Sequence, residues 1–323
     1  MKKIVYIVHC IDTEGPLYES LQAKFDRIKE VFSVKIKPTS KNLRRLREKK
    51  ISLNGNEEKV ANLLSGHLTN YNDTWKKIDK MHSKIFSKNF RNKDKDSYGK
   101  NWIFNWHCLD HVGYKHNPRK REIGYHKIFD HYQEILKKYQ NFGDVIHWHF
   151  HPMSTYKEAH RCATSYVNSP ELYQILCRRV IERKWFPSVH RAGFQTERPD
   201  SNWFLEQWIP FDISNMSTKD TTDIDNSIDH RLGRSGDWRK APKDWSIYHP
   251  DHDDYQNPGN CRRWIGRALN VMNRTASINQ KEVDKAFYNA RTNGAALLGV
   301  AGHDFRNLET EVNYLRNLIK IAS

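Results

Sequence analysis

The sequence predicts an α/β fold whose parallel strands form a sheet or a barrel. Short apolar segments alternate along the chain with segments of helical periodicity, which is typical of parallel α/β proteins. With 323 residues the chain can bury a large core, and a single α/β barrel or two modest domains would both fit. No apolar run approaches the roughly 20 residues of a membrane helix, and we find no internal repeats.

The first strand is predicted at residues 2–10, because residues 4–8 are apolar and rich in β-branched side chains. This apolar run is shorter than the roughly 7–15-residue core of a signal peptide, and polar residues follow it directly. We therefore expect a cytoplasmic protein. The five cysteines are scattered and form no Cys-x-x-Cys pair, which argues against a disulfide framework or a cysteine zinc site.

Each later element is predicted from its own periodicity. Residues 102–109 and 145–151 are rich in aromatic and β-branched side chains, which favours strands. Residues 124–139 and 169–184 carry apolar side chains at helical spacing, and Pro170 suits the first turn of the second helix. The same criteria predict helices at 17–34, 42–50, 202–207, 281–293 and 309–322, and strands at 188–192, 211–214 and 295–301.

We expect one domain over residues 1–323, with two segments of unusual composition. Residues 40–101 are polar, lysine-rich and poor in strand character, so they predict a helical insertion on one rim. Residues 219–260 are rich in Asp, Asn, Gly and Pro, and they predict long loops near the rim of the active site.

The formal net charge of +16 raises the question of an anionic partner. Nucleic acid is one candidate, because basic surfaces bind phosphate through counterion release. The charge is spread along the chain, however, which favours a solvated lysine-rich surface instead. A basic rim that attracts anionic sugar phosphates or the headgroups of an anionic membrane surface fits as well. We expect no nucleic-acid partner.

Three histidines occupy alternate positions in one predicted strand. Successive side chains of a strand point to opposite faces, so His147, His149 and His151 share one face, while Trp148 packs on the other. The histidine face suits a divalent transition metal. At this point the alternative is a pair of hydrogen-bonded core histidines with a third, exposed one.

Polar residues follow the predicted strands, where the active site of an α/β barrel gathers. They include carboxylates, imidazoles and a guanidinium, which together can supply metal ligands, a base and an acid. These strand-end residues are Asp12, Glu14, His149, His151, Arg191, Asp212 and His303.

In their order these segments resemble the five motifs of the polysaccharide deacetylase superfamily, also called the NodB-homology or carbohydrate esterase family 4 group. The resemblance runs from residue 4 to about residue 305 and implies a distorted (β/α)7 barrel. The matching segments are Asp12-Thr13-Glu14-Gly15, Gly143-Asp144-Val145-Ile146 leading into His149, Arg191-Ala192-Gly193-Phe194, Asp212-Ile213-Ser214 and His303-Asp304.

Two motifs depart from the commonest family pattern. The first has an Asp-x-Glu spacing in place of adjacent aspartates. The second reads His-x-His when His149 and His151 are the pair, which resembles a subgroup found in surface-polysaccharide gene clusters. The usual His-x-x-x-His spacing is met instead by His147 and His151. Strand periodicity allows both pairs, and we favour His149 with His151.

The resemblance implies the metal site. Glu14, His149 and His151 would hold Zn²⁺ or another divalent transition metal, with His147 as an alternative ligand. The ion would leave a position open for water, the nucleophile, and for the substrate carbonyl.

The resemblance also implies the catalytic roles. Asp12 would be the general base, and His303 would protonate the leaving amine. Arg191 would pair with Asp12 and keep its pKa low, while Asp212 would orient His303 or Arg191. In the long loop, Trp238, Trp245 and Tyr248 are candidates either for stacking on a sugar ring or for packing.

We therefore expect a metal-dependent hydrolase that removes an N-acyl group, acetyl or formyl, from an amino sugar, a nucleotide sugar or a lipid-linked sugar precursor. The first alternative is a deacetylase-like barrel that binds carbohydrate but has lost turnover. The second is a nucleic-acid-binding protein, which rests on charge alone.

Overall fold

In a computed structural model of the protein, parallel strands close into a seven-stranded barrel whose order follows the chain. The last strand pairs with the first, so the described sheet has no free edge. The predicted α/β barrel is therefore confirmed. The structure describes residues 3–139, 142–151, 171–217, 236–273 and 276–322, so Pro170 of the predicted helix lies outside the described residues.

The seven strands of the barrel are formed by short, mostly apolar segments that lie side by side. They are β1 (Ile4–Thr13), β2 (Asn105–Cys108), β3 (Val145–Phe150), β4 (Val189–Ala192), β5 (Phe211–Asn215), β6 (Trp264–Asn270) and β7 (Ala295–His303). The sequence did not indicate β6, because Gly266 and Arg267 interrupt its apolar pattern. The structure explains why each residue is in the strand. A Cβ at Gly266 would lie 2.8 Å from Ile213 Cδ1, so there is no room for a side chain, and Arg267 pairs with Glu282 at 2.7 Å.

The helices connect the strands and form the outer layer. Those in the described residues are α1 (Leu21–Phe32), α2 (Ser40–Arg47), α3 (Glu57–Leu63), α4 (Gly66–Thr69), α5 (Trp75–Ile85), α6 (Lys88–Arg91), α7 (Lys127–Lys138), α8 (Glu171–Arg183), α9 (Pro199–Trp208), α10 (Gln280–Asn293) and α11 (Leu308–Ala322). Side-chain caps start several of them; Thr74 accepts from the N–H of Lys77, for example. Among the helices that the structure describes, none combines the length and the hydrophobicity that a membrane-spanning helix needs.

Alternation along β3 separates the barrel interior from the helical layer. Ile146, Trp148 and Phe150 are buried in clusters with residues of the surrounding helices, so the packing predicted for Trp148 is confirmed. A small interior cluster includes Cys10 and Ala301. The histidines of β3 therefore face inward.

The segment 236–260 contributes its aromatic rings to the protein core. Trp238 and Trp245 are fully buried, and Tyr248 is nearly so. They pack with Leu269 and Leu298 against β6 and β7. The interpretation that these rings stack on a sugar is therefore wrong, because no face of them is open. The rest of the predicted loop region, 218–235, lies outside the described residues.

A buried ion pair joins α6 to the amino end of the barrel. Arg91 donates to both oxygens of Asp144 at 2.7 Å, and both side chains are fully buried. Asp144 also accepts from the backbone N–H of Phe104 and from Trp106 Nε1, each at 3.0 Å. The carboxylate thus connects the helical segment with β2 and β3 at once.

Replacing Asp144 by Ala is expected to lower the free energy of unfolding by about 3–5 kcal/mol, because it leaves the Arg91 guanidinium buried without a counter-charge. Urea denaturation measures the loss. The control is Asp237→Ala, which removes the partly exposed partner of the exposed Arg239 and is expected to cost about 1 kcal/mol or less. Equal, small losses of stability in both variants would contradict this role of the Arg91–Asp144 ion pair.

The buried imidazole of His9 makes the free energy of unfolding depend on pH. Burial, together with nearby Arg91, lowers the pKa of His9 to about 3 from an ordinary 6.5. Between these values the unfolded chain binds a proton that the folded chain does not, so stability falls as the pH falls from 6.5 towards 3. The slope from this one group reaches about 1.4 kcal/mol per pH unit.

We expect His9→Gln to flatten the pH dependence of unfolding between pH 6 and pH 4 by roughly that slope. Denaturant midpoints across this range test it. The exposed His252, replaced by Gln, serves as the matched control and is expected to keep the wild-type slope. A His9 variant that retains the full slope would refute the assignment.

Candidate metal centre

The carboxyl ends of four strands meet at one mouth of the barrel. Register pairs Asp12 of β1 with His303 of β7, and His149 of β3 with Arg191 of β4. Because parallel strands end on the same side, side chains from distant parts of the sequence meet there. The structure thus brings together most of the strand-end residues that the sequence indicates.

Three of these residues converge as a possible ligand set: Glu14, His149 and His151, all buried. The Nε2 atoms of the two histidines are 3.0 Å apart, and they lie 3.8 and 3.5 Å from Glu14 Oε1. Ligand atoms about 2.0–2.2 Å from one zinc ion lie roughly 3–4 Å from each other. Two imidazoles and a carboxylate therefore fit a divalent transition metal in both chemistry and spacing.

A backbone hydrogen bond orients His149. Its Nδ1 lies 2.7 Å from the carbonyl oxygen of Arg191 and donates to it, so Nε2 carries the lone pair that faces the cluster. His147 lies deeper in the barrel, where its Nε2 contacts Asn105 Oδ1 at 3.1 Å. The pair that contributes to the cluster is therefore His149 with His151, and the expectation of His147 as a ligand is not met.

Arg121 fixes the carboxylate of Glu14. Its Nη2 donates to Glu14 Oε2 at 2.5 Å, which leaves Oε1 facing the histidines. Burial raises the pKa of Glu14, but Arg121 and then His151 outweigh it, and the pKa lies well below its ordinary value. No sequence pattern indicates this role, because Arg121 follows two other basic residues, and such a run is typical of a solvated surface.

Asp304 fixes the backbone beside the cluster. Its two oxygens accept from the N–H groups of Glu14 and Gly15 at 3.0 and 2.8 Å. Gly15 has a φ of +69°, which suits glycine in this tight turn. The hydroxyl of Tyr132 on α7 donates to Asp304 at 3.0 Å. The only sequence signal for Asp304 was its place directly after His303.

Asp12 lies between Arg191 and His303. Arg191 Nε donates to Asp12 Oδ1 at 2.6 Å, and its Nη1 donates to the carbonyl of Ile213 at the same distance. Burial raises the pKa of Asp12, but Arg191, His149 and His303 together lower it by a larger amount. The pKa therefore lies below its ordinary value, and the carboxyl stays ionised. The free oxygen, Oδ2, lies 3.7 Å from His303 Nε2.

His303 is the most accessible of these side chains, with 18% of its surface exposed. Burial lowers its pKa to about 4, although Asp12 and Glu14 act in the opposite direction. The resting imidazole is therefore neutral at pH 7. A neutral histidine at the mouth can take up a proton before it gives one away.

Asp212 does not belong to this site. Its neighbour Ile213 lies in the barrel interior, so Asp212 faces the helical layer. There it binds His190 Nδ1 at 2.9 Å and lies 3.4 Å from Arg263 Nη1. The prediction that it orients His303 or Arg191 is wrong, because the register of β5 turns it outward.

No protein-family model matches the chain, and no curated protein matches its sequence.

The lack of a side chain at Gly193 leaves room for the imidazole of His151, one of the three potential metal ligands. A Cβ there would lie 2.1 Å from His151 Cδ2 and 2.8 Å from His151 Cα. Gly193→Ala is therefore expected to displace His151 and to weaken zinc binding at this centre by about 10–100-fold. Competition titration with a zinc chelator measures the affinity.

Gly66→Ala is the matched control, because its Cβ meets only the amide end of Asn70, at 3.2 Å. We expect wild-type affinity for this variant. Unchanged affinity in Gly193→Ala would show that His151 does not bind the metal.

Proposed function

We propose that the protein is a metal-dependent hydrolase that removes an acetyl or formyl group from the nitrogen of an amino sugar, in a nucleotide-linked or lipid-linked precursor in the cytoplasm. One observation carries the proposal: the ligand set Glu14, His149 and His151 lies beside Asp12 and His303 at the carboxyl mouth of the barrel. The resemblance of the ordered motifs to polysaccharide deacetylases supports it, and the proposal includes a barrel of that NodB type.

The ligand set suits a catalytic metal. A divalent ion such as Zn²⁺, when bound there, supplies Lewis acidity towards water and towards the amide carbonyl. Arg121 holds Glu14 with one oxygen free, and the carbonyl of Arg191 holds His149 in the tautomer that a metal requires. The chain itself thus prepares two of the three ligands.

Asp12 is the proposed general base. Arg191 occupies Oδ1, so Oδ2 is the oxygen that accepts a proton from the attacking water. The same ion pair keeps the carboxylate ionised despite its burial. Arg191 is therefore a positioning residue, which fixes both the orientation and the charge of Asp12.

His303 completes the transfer. Its Nε2 lies 3.7 Å from Asp12 Oδ2, so a short adjustment lets the proton pass from the carboxyl to the imidazole. The imidazolium then protonates the nitrogen as the carbon–nitrogen bond breaks. In total, the hydroxyl of water joins the acyl carbon and one proton joins the leaving amine, so the hydrolysis balances.

The charge of the protein favours an anionic substrate. With a net charge of +16, the surface attracts phosphate-bearing precursors by long-range electrostatics. Sugars linked to a nucleotide or to a lipid pyrophosphate meet this condition, whereas a neutral sugar does not.

The test is release of acetate or formate from a panel of N-acetyl and N-formyl amino sugars, free and nucleotide-linked, by the zinc-loaded protein. Asp12→Asn is expected to lower the rate by about 10²–10⁴-fold while the protein still binds zinc, because it removes the base and keeps the ligands. Asp73→Asn, at an exposed pair with Lys77, is the control and is expected to keep full activity.

Two outcomes would reject the proposal. Equal rates for wild type and Asp12→Asn would show that Asp12 is not the base. Binding of these sugars without release of acid, by zinc-loaded wild type, would instead identify a carbohydrate-binding barrel that has lost turnover.

A further inference from the structure

A second group of potential ligands lies outside the barrel, between two helices. Asp79 and His82 are three residues apart on α5 and so lie on one face of it, opposite His131 on α7. Asp79 Oδ1 lies 3.1 Å from His131 Nε2 and 3.8 Å from His82 Nδ1. Neither the motifs nor the proposed reaction uses these three residues.

The hydrogen bonds around Tyr132 determine which nitrogen of His82 is free. The Tyr132 hydroxyl donates its hydrogen to Asp304, so it accepts from His82 Nε2, which lies 3.2 Å away. Nε2 therefore carries the hydrogen of the neutral ring, and Nδ1 carries a lone pair.

That lone pair has no hydrogen-bond partner in the part of the chain that the structure describes. His82 is fully buried, and its Nδ1 is within bonding distance of no donor among the described residues. Asp79 Oδ1, which is also an acceptor, lies 3.8 Å away. An unsatisfied buried acceptor lowers the stability of the fold. Two acceptors that face each other repel, and a cation between them would remove the repulsion.

We propose that Asp79, His82 and His131 form a second site for a divalent transition metal such as Zn²⁺. A carboxylate and two imidazoles are a suitable donor set, and ligands of one such ion lie roughly 3–4 Å apart. His131 Nε2 gives up its hydrogen on binding, as metal ligands do. The proposal goes beyond the reaction proposed above and does not depend on it.

The surroundings suit such a site. The rings of Phe86 and Trp106 pack edge-on against His82, each with centroids 5.7 Å away. The ring of Trp75 covers His131 at 4.0 Å. The side chain of Asp79 is 44% exposed, which gives an ion a path from solvent and leaves room for water as a further ligand.

A metal here connects the segment 40–101 with the first centre. It joins α5 to α7, and His82 contacts Tyr132, which supports Asp304 and hence the backbone of Glu14. The hydrogen bond between His131 and Asp79 would by itself make an ordinary surface pair. It does not account for the buried Nδ1 of His82.

The experiment is a count of bound metal. The full chain is stripped with a chelator and titrated with Zn²⁺, and also with Co²⁺, whose absorption reports the ligand set. Wild type is expected to bind two ions. His131→Ala is expected to bind one, and the double variant His149→Ala, His151→Ala is also expected to bind one, the other ion.

Asp79→Asn is a second variant at an exposed position. It keeps the shape of the side chain, and it is expected to weaken binding at this site by about 10–100-fold. The exposed His252, replaced by Ala, is the matched control and is expected to bind two ions. Circular dichroism checks that every variant is folded.

A single ion bound by wild type, and removed by the double variant at His149 and His151, would overturn the second site and leave the first intact. Two ions bound by folded His131→Ala would overturn it as well. Loss of hydrolysis in the double variant tests the first centre only, so the two proposals fail separately.

Discussion

The carboxylate of Asp304 determines where the mouth of the barrel places its chemistry. It lies just beyond β7 and accepts the backbone N–H groups of Glu14 and Gly15, just beyond β1. Burial raises the pKa of this carboxyl to about 7. Each of the two hydrogen bonds contributes about 0.5–1.5 kcal/mol, and together they hold the turn. Because the turn is fixed, Glu14 points towards the two histidines. Tyr132 extends the same constraint to α7.

Buried charge at the mouth is compensated in a way that leaves reactive atoms free. Burial alone would protonate Asp12 and Glu14, since a low-dielectric environment disfavours the charged form. Each carboxylate instead has an arginine on one oxygen: Arg191 on Asp12 Oδ1 and Arg121 on Glu14 Oε2. The second oxygen of each faces the imidazoles. One arginine per carboxylate therefore supplies both the charge state and the orientation that a metal hydrolase needs.

The sequence predicted what depends on strand periodicity and failed where register or long-range contact decides. Alternation along β3 correctly placed the histidines inside and Trp148 outside, and the strand ends indicated Asp12 and His303. The inward or outward direction of Asp212 depends on the register of β5, which no local pattern reveals. The role of Arg121 depends on its long-range contact with Glu14, and that of the His82–His131 pair on the packing of α7 beside α5. Such contacts join segments whose composition alone is typical of solvated surface.

The two ends of the barrel have different roles: the amino end stabilises the fold, and the carboxyl end carries the candidate reactive groups. At the amino end, Arg91 and Asp144 satisfy each other and the neighbouring N–H groups, so this charge is fully paired. At the carboxyl end, Glu14 Oε1 and the Nε2 atoms of His149 and His151 lie within 3.0–3.8 Å of one another, and burying such a group of polar atoms costs stability. A fold can tolerate that cost only if the rest of the barrel is well packed. The Arg91–Asp144 ion pair at the amino end thus stabilises the same barrel that carries the buried ligand cluster at the other end.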